Sequence, residues 1–173
     1  MSDSMIPEPP AAPVLPEGRF VGREDFRQLV RDALACAARE GWTEIVLSDP
    51  DFHDWPLGER AVAESLQAWA RAGRTCTLLA ADFGAVLRQH ARFVQWRTRW
   101  GHLIHCRKAS CTRPIEVPSA LWAPGWGLHR LDAERCVGVS GTEPDRRVLL
   151  RESLDEWLLR KSGPGFPATT LGL

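Results

Sequence analysis

Apolar residues recur at helical spacing in four separate stretches of the chain. In residues 26–37 they fall three and four positions apart, and Gly41 follows as a C-terminal stop. The same spacing predicts three further helices, within 57–73, 83–100 and 142–163. Each helix presents one apolar stripe, so we expect the four stripes to pack against a common core.

Short apolar runs between these helices predict buried strands. Three of them, at 43–48, 75–80 and 102–107, have the continuous apolar character of parallel strands that are covered on both faces. Two later segments, near 120–123 and 135–140, are typical of antiparallel strands. Alternating helices and strands imply a parallel sheet with helices on both faces. The sequence therefore predicts an α/β fold with a single mixed sheet, whose parallel centre is flanked by helices.

The chain has the length of one domain. Its 173 residues are enough for one hydrophobic core and short for two. Residues 1–18 contain five prolines and little hydrophobic periodicity, which predicts a disordered leader. We expect a single α/β domain over 19–163 and a loose C-terminal tail over 164–173.

Charge and composition limit which partners the protein could bind and in which cell compartment it would be found. The 22 basic and 22 acidic side chains cancel, so no overall field attracts a polyanion, and nucleic acid is not an expected partner. No stretch approaches the roughly 18 apolar residues of a membrane-spanning helix, and no secretion signal begins the chain. The five cysteines are odd in number, and three lie in apolar runs. These features predict a cytoplasmic protein that does not associate with membranes.

The order of elements resembles a known half-domain. The helix "LVRDALACAARE" and the strands in "EIVLSDPDF" and "CTLLAAD" precede the hairpin "GWGLHRLDAERCVGVSG", residues 125–141. This order resembles one half of a phospholipase D-like domain over about residues 20–160, and it is similar to small uncharacterised bacterial proteins with this half-fold. The resemblance implies phospholipase D-like half-domain topology.

The hairpin departs from the family at its reactive positions. Family members carry H-x-K-x-x-x-x-D there, followed by a Gly-Ser-x-Asn turn. Asp132 and Ser140 match the Asp and the Ser, whereas Gly125 and Gly127 stand at the His and the Lys. Glycine supplies neither the nucleophile nor the cation that the family's reaction needs. The resemblance therefore implies a pseudoenzyme without catalytic residues or cofactor, a homodimeric module for binding or assembly.

The two glycines also bear on local structure. They flank Trp126 just after Pro124, and glycine within a strand often marks a bulge or a close backbone approach. We therefore expect 124–127 to form a turn or bulge, with the family's cleft either empty or filled by Trp126 or Trp122.

An alternative hypothesis is an enzyme for a phosphate-containing or acidic substrate at the carboxyl edge of the sheet. Asp49, Asp51 and His53 follow a predicted strand, where α/β proteins place ligands. Arg88 and His90 lie on the third predicted helix, where Arg88 and Arg92, four residues apart, would share one face and could both hold a phosphate. We favour the plainer interpretations, which are a solvated loop for the first group and a solvated basic face with a satisfied core histidine for the second.

Metal binding is not expected. His102 and Cys106 would share one face of a strand, while His105 would point to the other, so these side chains cannot converge on one ion. The chain also has no C-x-x-C pair. The candidates for binding a small anionic ligand are Asp49, Asp51, His53, Arg88, His90, Asp132 and Ser140.

Overall fold

The computed structural model of the protein describes residues 14–166. Eight strands form one sheet: β1 (Gly18–Val21), β2 (Glu44–Ser48), β3 (Thr75–Ala80), β4 (Ile104–Ala109), β5 (Ser119–Trp122), β6 (Gly127–Asp132), β7 (Val137–Gly141) and β8 (Ser162–Pro164). The helices are α1 (Arg23–Glu40), α2 (Arg60–Trp69), α3 (Gly84–Gln89), α4 (Ala91–Arg99) and α5 (Pro144–Arg160), with a short 3-10 helix at Pro114–Glu116.

The sheet has a parallel centre and antiparallel sides. Its strand order is β1-β7-β6-β5-β2-β3-β4-β8. Strands β2, β3 and β4 run parallel, and every other neighbouring pair is antiparallel. The α/β fold with a single mixed sheet and a parallel centre is therefore confirmed. It forms because the runs in β2 and β3 are apolar enough to be buried on both faces.

Helices cover both faces of the sheet unequally. The larger core lies between the sheet and α1 to α4, and it contains Phe26, Trp55, Trp69 and Phe93. On the other face α5 alone packs on the strands, through Leu150, Leu154 and Trp157 among others. Within residues 14–166, no helix is both long and apolar enough to cross a membrane.

Several boundaries differ from the sequence prediction. The predicted helix over 83–100 is two helices, because the backbone leaves helical geometry at His90 (φ −115°, ψ 53°). The strand predicted at 102–107 lies two residues later, at Ile104–Ala109. Strands β1 and β8 were not predicted, since short edge strands have too few residues to show alternation.

Residues just outside the expected domain limits of 19–163 also contact the fold. Pro16, inside the expected leader, accepts a hydrogen bond from Ser140 Oγ at 3.1 Å. Phe166, inside the expected tail, lies with its ring centroid 5.1 Å from that of Phe83. Ordered packing therefore extends beyond the expected 19–163 limits, and the rest of the leader and tail, 1–13 and 167–173, lies outside the described residues.

Candidate functional site

The two residues that match the phospholipase D-like motif do not come together. Asp132 ends β6 and accepts a hydrogen bond of 3.0 Å from the backbone N–H of Arg135 in the hairpin turn. Ser140 lies on β7, opposite Leu128, and is buried. Leu128 and Asp132 are four residues apart, roughly 13 Å along a strand, so the two motif residues have no common site.

Helix α5 lies over Gly127, the position of the motif's Lys, whereas the space beside Gly125, the position of its His, is open. The chain turns at 123–126, where the Ala123 N–H donates to Trp126 O at 2.9 Å. The turn predicted at 124–127 is therefore present over 124–126, while Gly127 begins β6 and pairs with Trp122. A Cβ at Gly127 would lie 3.6 Å from Leu150 and 3.7 Å from Arg147, both on α5. Trp126 packs in the core on the other face of the sheet. The expectation named Trp126 or Trp122 as the residue that could fill the cleft, and it is wrong for Trp126. Trp122 pairs with Gly127 and packs on the α5 face, where its Nε1 donates to the Arg147 carbonyl oxygen at 3.0 Å.

The loop after β2 is held by a buried arginine. Arg130 on β6 donates to Asp49 at 2.8 Å and to Asp54 at 2.5 Å. It also donates to Ser119 Oγ at 2.9 Å, and its guanidinium lies 4.3 Å from the ring centroid of Phe26. Asp49, Asp54 and Arg130 are all buried, so the expected solvated loop is wrong for both carboxylates. The two carboxylates balance a cation that the fold has taken out of water.

Charge pairing fixes the ionisation of this network. Burial opposes the ionised form of Asp54, but the hydrogen bond and the charge of Arg130 outweigh it and lower the pKa of Asp54 below its usual value. Burial likewise opposes the charge of Arg130, while Asp54 and Asp49 together raise its pKa. Asp54 and Arg130 are therefore ionised at neutral pH, and Arg130 donates hydrogen bonds to both Asp49 and Asp54.

The other candidate side chains in and beside this loop make hydrogen bonds to neighbouring residues. His53 Nδ1 lies 2.6 Å from Asp51 Oδ1 at the surface, and this hydrogen bond raises the pKa of His53. His90 Nε2 lies 2.7 Å from the carbonyl oxygen of Phe52, and burial lowers the pKa of His90, so the neutral ring donates that bond. Phe52 has a left-handed φ of 60°, stabilised by the Asp49 carboxylate accepting from its N–H at 2.8 Å. His90 is thus a core histidine that holds the loop.

Sequence reasoning missed Arg130. The sequence did contain one indication of it. Side chains alternate between the two faces of a strand, so Arg130, two residues after Leu128, lies on the same buried face as Leu128. An arginine on the buried face of a strand requires an anion nearby, because a buried charge without a partner is costly. Asp49 and Asp54, in the Asp-rich loop at the carboxyl end of β2, were the available partners.

A second feature is a basic groove between α2 and α4, with a volume of about 510 Å³. We call it the arginine groove. Its charged lining consists of Arg60, Arg92, Arg99 and Glu64. Arg92 donates to the carbonyl oxygen of Gly58 at 2.9 Å, and Arg60 donates to Glu64 at 3.1 Å. Arg88 is exposed on α3, and the break at His90 removes the helical face that Arg88 and Arg92 were expected to share.

Two other large clefts are acidic. A cleft of about 440 Å³ at the carboxyl end of β2 is lined by Glu116, Asp132 and Glu134, and its one arginine is the neutralised Arg130. A groove of about 410 Å³ between β1 and α1 is lined by Glu17, Asp25, Asp32 and Arg19. The zero net charge of the chain therefore conceals a separation of charge over its surface, and the arginine groove is the positive part of that pattern.

The remaining candidate ligands are the possible metal-binding side chains and the thiols. Among residues 14–166 no three His, Cys, Asp or Glu side chains are grouped so that they could hold a metal ion. The five cysteines are free thiols, and four of them are buried. Burial raises the pKa of Cys106 to about 11, which keeps that thiol protonated at neutral pH.

Comparison with known proteins gives a structural neighbour. No family model matches the chain, and no curated protein matches it. The fold is similar to that of TrmBL2, an archaeal chromatin protein whose structure "shows a novel mode of DNA binding", with a TM-score of 0.56 and 12% sequence identity. The match covers 85% of this chain and 54% of that one, so this chain spans about half the length of TrmBL2.

This neighbour corrects the expectation about partners. Nucleic acid was set aside because the charges cancel, yet a protein of similar fold binds DNA. The physical error lies in using net charge, since a polyanion responds to the local potential of a groove. The arginine groove supplies such a local potential. The zero net charge therefore does not exclude nucleic acid as a partner.

Proposed function

We propose that this chain is a non-catalytic, cytoplasmic nucleic-acid-binding module built on a phospholipase D-like half-domain. The arginine groove carries this proposal, because it concentrates three arginines against one glutamate on a protein of zero net charge. Phosphate contacts by arginine provide most of the affinity of non-specific nucleic-acid binding. The DNA-binding function of TrmBL2, a protein of similar fold, supports the same ligand.

The hairpin supports the non-catalytic part of this proposal. Gly125 and Gly127 offer no nucleophile and no cation, and Leu150 of α5 lies within van der Waals distance of a Cβ at Gly127. A substrate phosphate could not approach this face of β6 without displacing α5.

The alternative of an enzyme at the carboxyl edge has weaker support. Asp49 is bound by Arg130, and His90 is buried against the carbonyl of Phe52. Asp51 and His53 satisfy one another at the surface. A general acid or base has to reach a substrate proton directly, and within this loop only the exposed His53–Asp51 pair is accessible.

Fluorescence anisotropy with a labelled oligonucleotide at low salt tests the proposal. We expect saturable binding that Arg99→Glu weakens by about tenfold, because reversal adds repulsion to the loss of one phosphate contact. Arg135→Glu, at the exposed hairpin turn, is the matched control and should change the affinity by less than about twofold. An equal loss in both variants, or no binding by the wild type, would reject the arginine groove as the site.

Phosphodiesterase assays test the other half of the proposal. The wild-type protein should release no product from a chromogenic phosphodiester above the buffer rate. Turnover that Asp132→Ala abolishes would show a working active site and would overturn the non-catalytic assignment.

A further inference from the structure

The arginine groove is a depression in the surface, and a depression suits a single strand better than a duplex. Its arginines line the depression between α2 and α4. Proteins that bind duplex DNA insert a helix or a strand ribbon, as a projecting element, into the grooves of the DNA. Proteins that bind single strands surround the backbone with a positively charged channel. A depression lined by arginine has the second form.

Two of the arginines form a row along the α4 wall of the groove. Arg92 and Arg99 are seven residues apart on α4, which places them two turns and about 10 Å apart along one face. Arg60 lies at the start of α2 on the opposite wall. A flexible phosphate backbone can adjust its spacing to such a row, whereas the phosphates of a duplex are held in fixed positions.

An aromatic group lies at one end of this row. Trp100 directly follows Arg99, and its Nε1 donates at 3.0 Å to Gln67, which lines the groove. The Trp100 ring is half-buried, and its centroid lies 5.9 Å from that of the exposed His102. Aromatic side chains beside a basic groove are the platforms on which unpaired bases stack.

We propose that the arginine groove binds single-stranded nucleic acid in preference to duplex, with phosphates on Arg60, Arg92 and Arg99 and a base stacked against Trp100. This inference rests on the proposed function and names the strand state of its ligand. The groove accepts any base, because every base has a face that can stack.

Paired anisotropy titrations test this inference with one labelled oligonucleotide, free and annealed to its complement. We expect the single strand to bind at least about tenfold tighter than the duplex. Trp100→Leu should weaken single-strand binding by about fivefold or more and leave duplex binding unchanged, while Trp100→Phe keeps most of the affinity.

A second variant tests the same aromatic site without changing a residue that packs on the core. His102→Ala changes an exposed ring, and it should weaken single-strand binding by about threefold while melting like the wild type. Duplex binding equal to or tighter than single-strand binding would overturn this inference and leave the proposed function intact. Failure of both forms to bind would overturn both. Unchanged single-strand affinity in His102→Ala and in folded Trp100→Leu would reject the stacking platform.

Discussion

Arg130 on β6 donates a hydrogen bond of 2.8 Å to Asp49, which follows β2, and this contact joins two parts of the sheet that are 81 residues apart in the chain. Asp54 completes the pairing from the same loop. The antiparallel strands are thereby connected to the loop at the carboxyl end of the parallel centre, beyond the pairing of β5 with β2. This ion network replaces the solvated loop that the sequence favoured.

Replacing Arg130 by leucine should destabilise the fold strongly. The change leaves Asp49 and Asp54 buried without a cation, and breaking a buried ion pair in this way typically costs about 3–5 kcal/mol. Urea denaturation measures the free energy of unfolding, with the exposed Arg135→Leu as the control, expected within about 0.5 kcal/mol of wild type. A loss below about 1 kcal/mol in Arg130→Leu would show that water or relaxation compensates the carboxylates.

The same network predicts an acid-dependent loss of stability. Arg130 lowers the pKa of Asp54 in the folded chain, so below about pH 4 the unfolded chain binds a proton that folded Asp54 does not. The stabilisation is complete above the unfolded pKa and is lost as the pH falls through the lower, folded pKa. Unfolding titrations from about pH 5 to pH 2.5 should show this fall.

Asp54→Asn provides the comparison for that titration. Its free energy of unfolding should be lower than that of the wild type at neutral pH, because Arg130 loses one carboxylate, and should change less with pH over the acid range. Parallel curves for the two proteins would show that Asp54 does not carry the acid dependence.

Introducing the two side chains of the phospholipase D-like motif that this chain lacks should not create catalysis. Gly125→His places an imidazole at an open turn, since nothing lies within 4 Å of a Cβ there, and Gly127→Lys drives a long chain toward Leu150 and Arg147. We expect the double variant to have no phosphodiesterase activity and to be less stable by about 1–3 kcal/mol, because the lysine overpacks the contact with α5.

Gly127→Ala is the control for this change. Its Cβ would make only ordinary contacts, 3.6 Å from Leu150 and 3.7 Å from Arg147, so its melting temperature should stay close to that of the wild type. Phosphodiester hydrolysis by the double variant, above the rate of this control, would mean that α5 leaves the face of β6 open.

How far the sequence predicts this structure depends on the range of each interaction. The apolar runs of β2 and β3 predict the parallel centre, because burial on both faces is visible within a few neighbouring residues. Apolar spacing alone cannot show the break at His90. That break is associated with the hydrogen bond from its ring to Phe52, 38 residues away.

The candidate sites show the same limit. The Asp-rich loop was visible in the sequence, but its partner Arg130 is 76 residues beyond Asp54. Only the alternation of side chains along β6, which puts Arg130 on the buried face, could have pointed to it. The arginine groove needs the packing of α2 beside α4, which places Arg60 and Arg92 in the lining of one groove. Net charge carries no information about that arrangement.

The salt dependence of single-strand binding measures the central claim most directly. If Arg60, Arg92 and Arg99 each contact a phosphate, the logarithm of the binding constant should fall against the logarithm of salt concentration with a slope of about −2. Arg99→Gln should reduce the magnitude of that slope by about 0.7, and Arg135→Gln should leave it unchanged. The same slope in Arg99→Gln as in the wild type, or an equal reduction in both variants, would contradict the account.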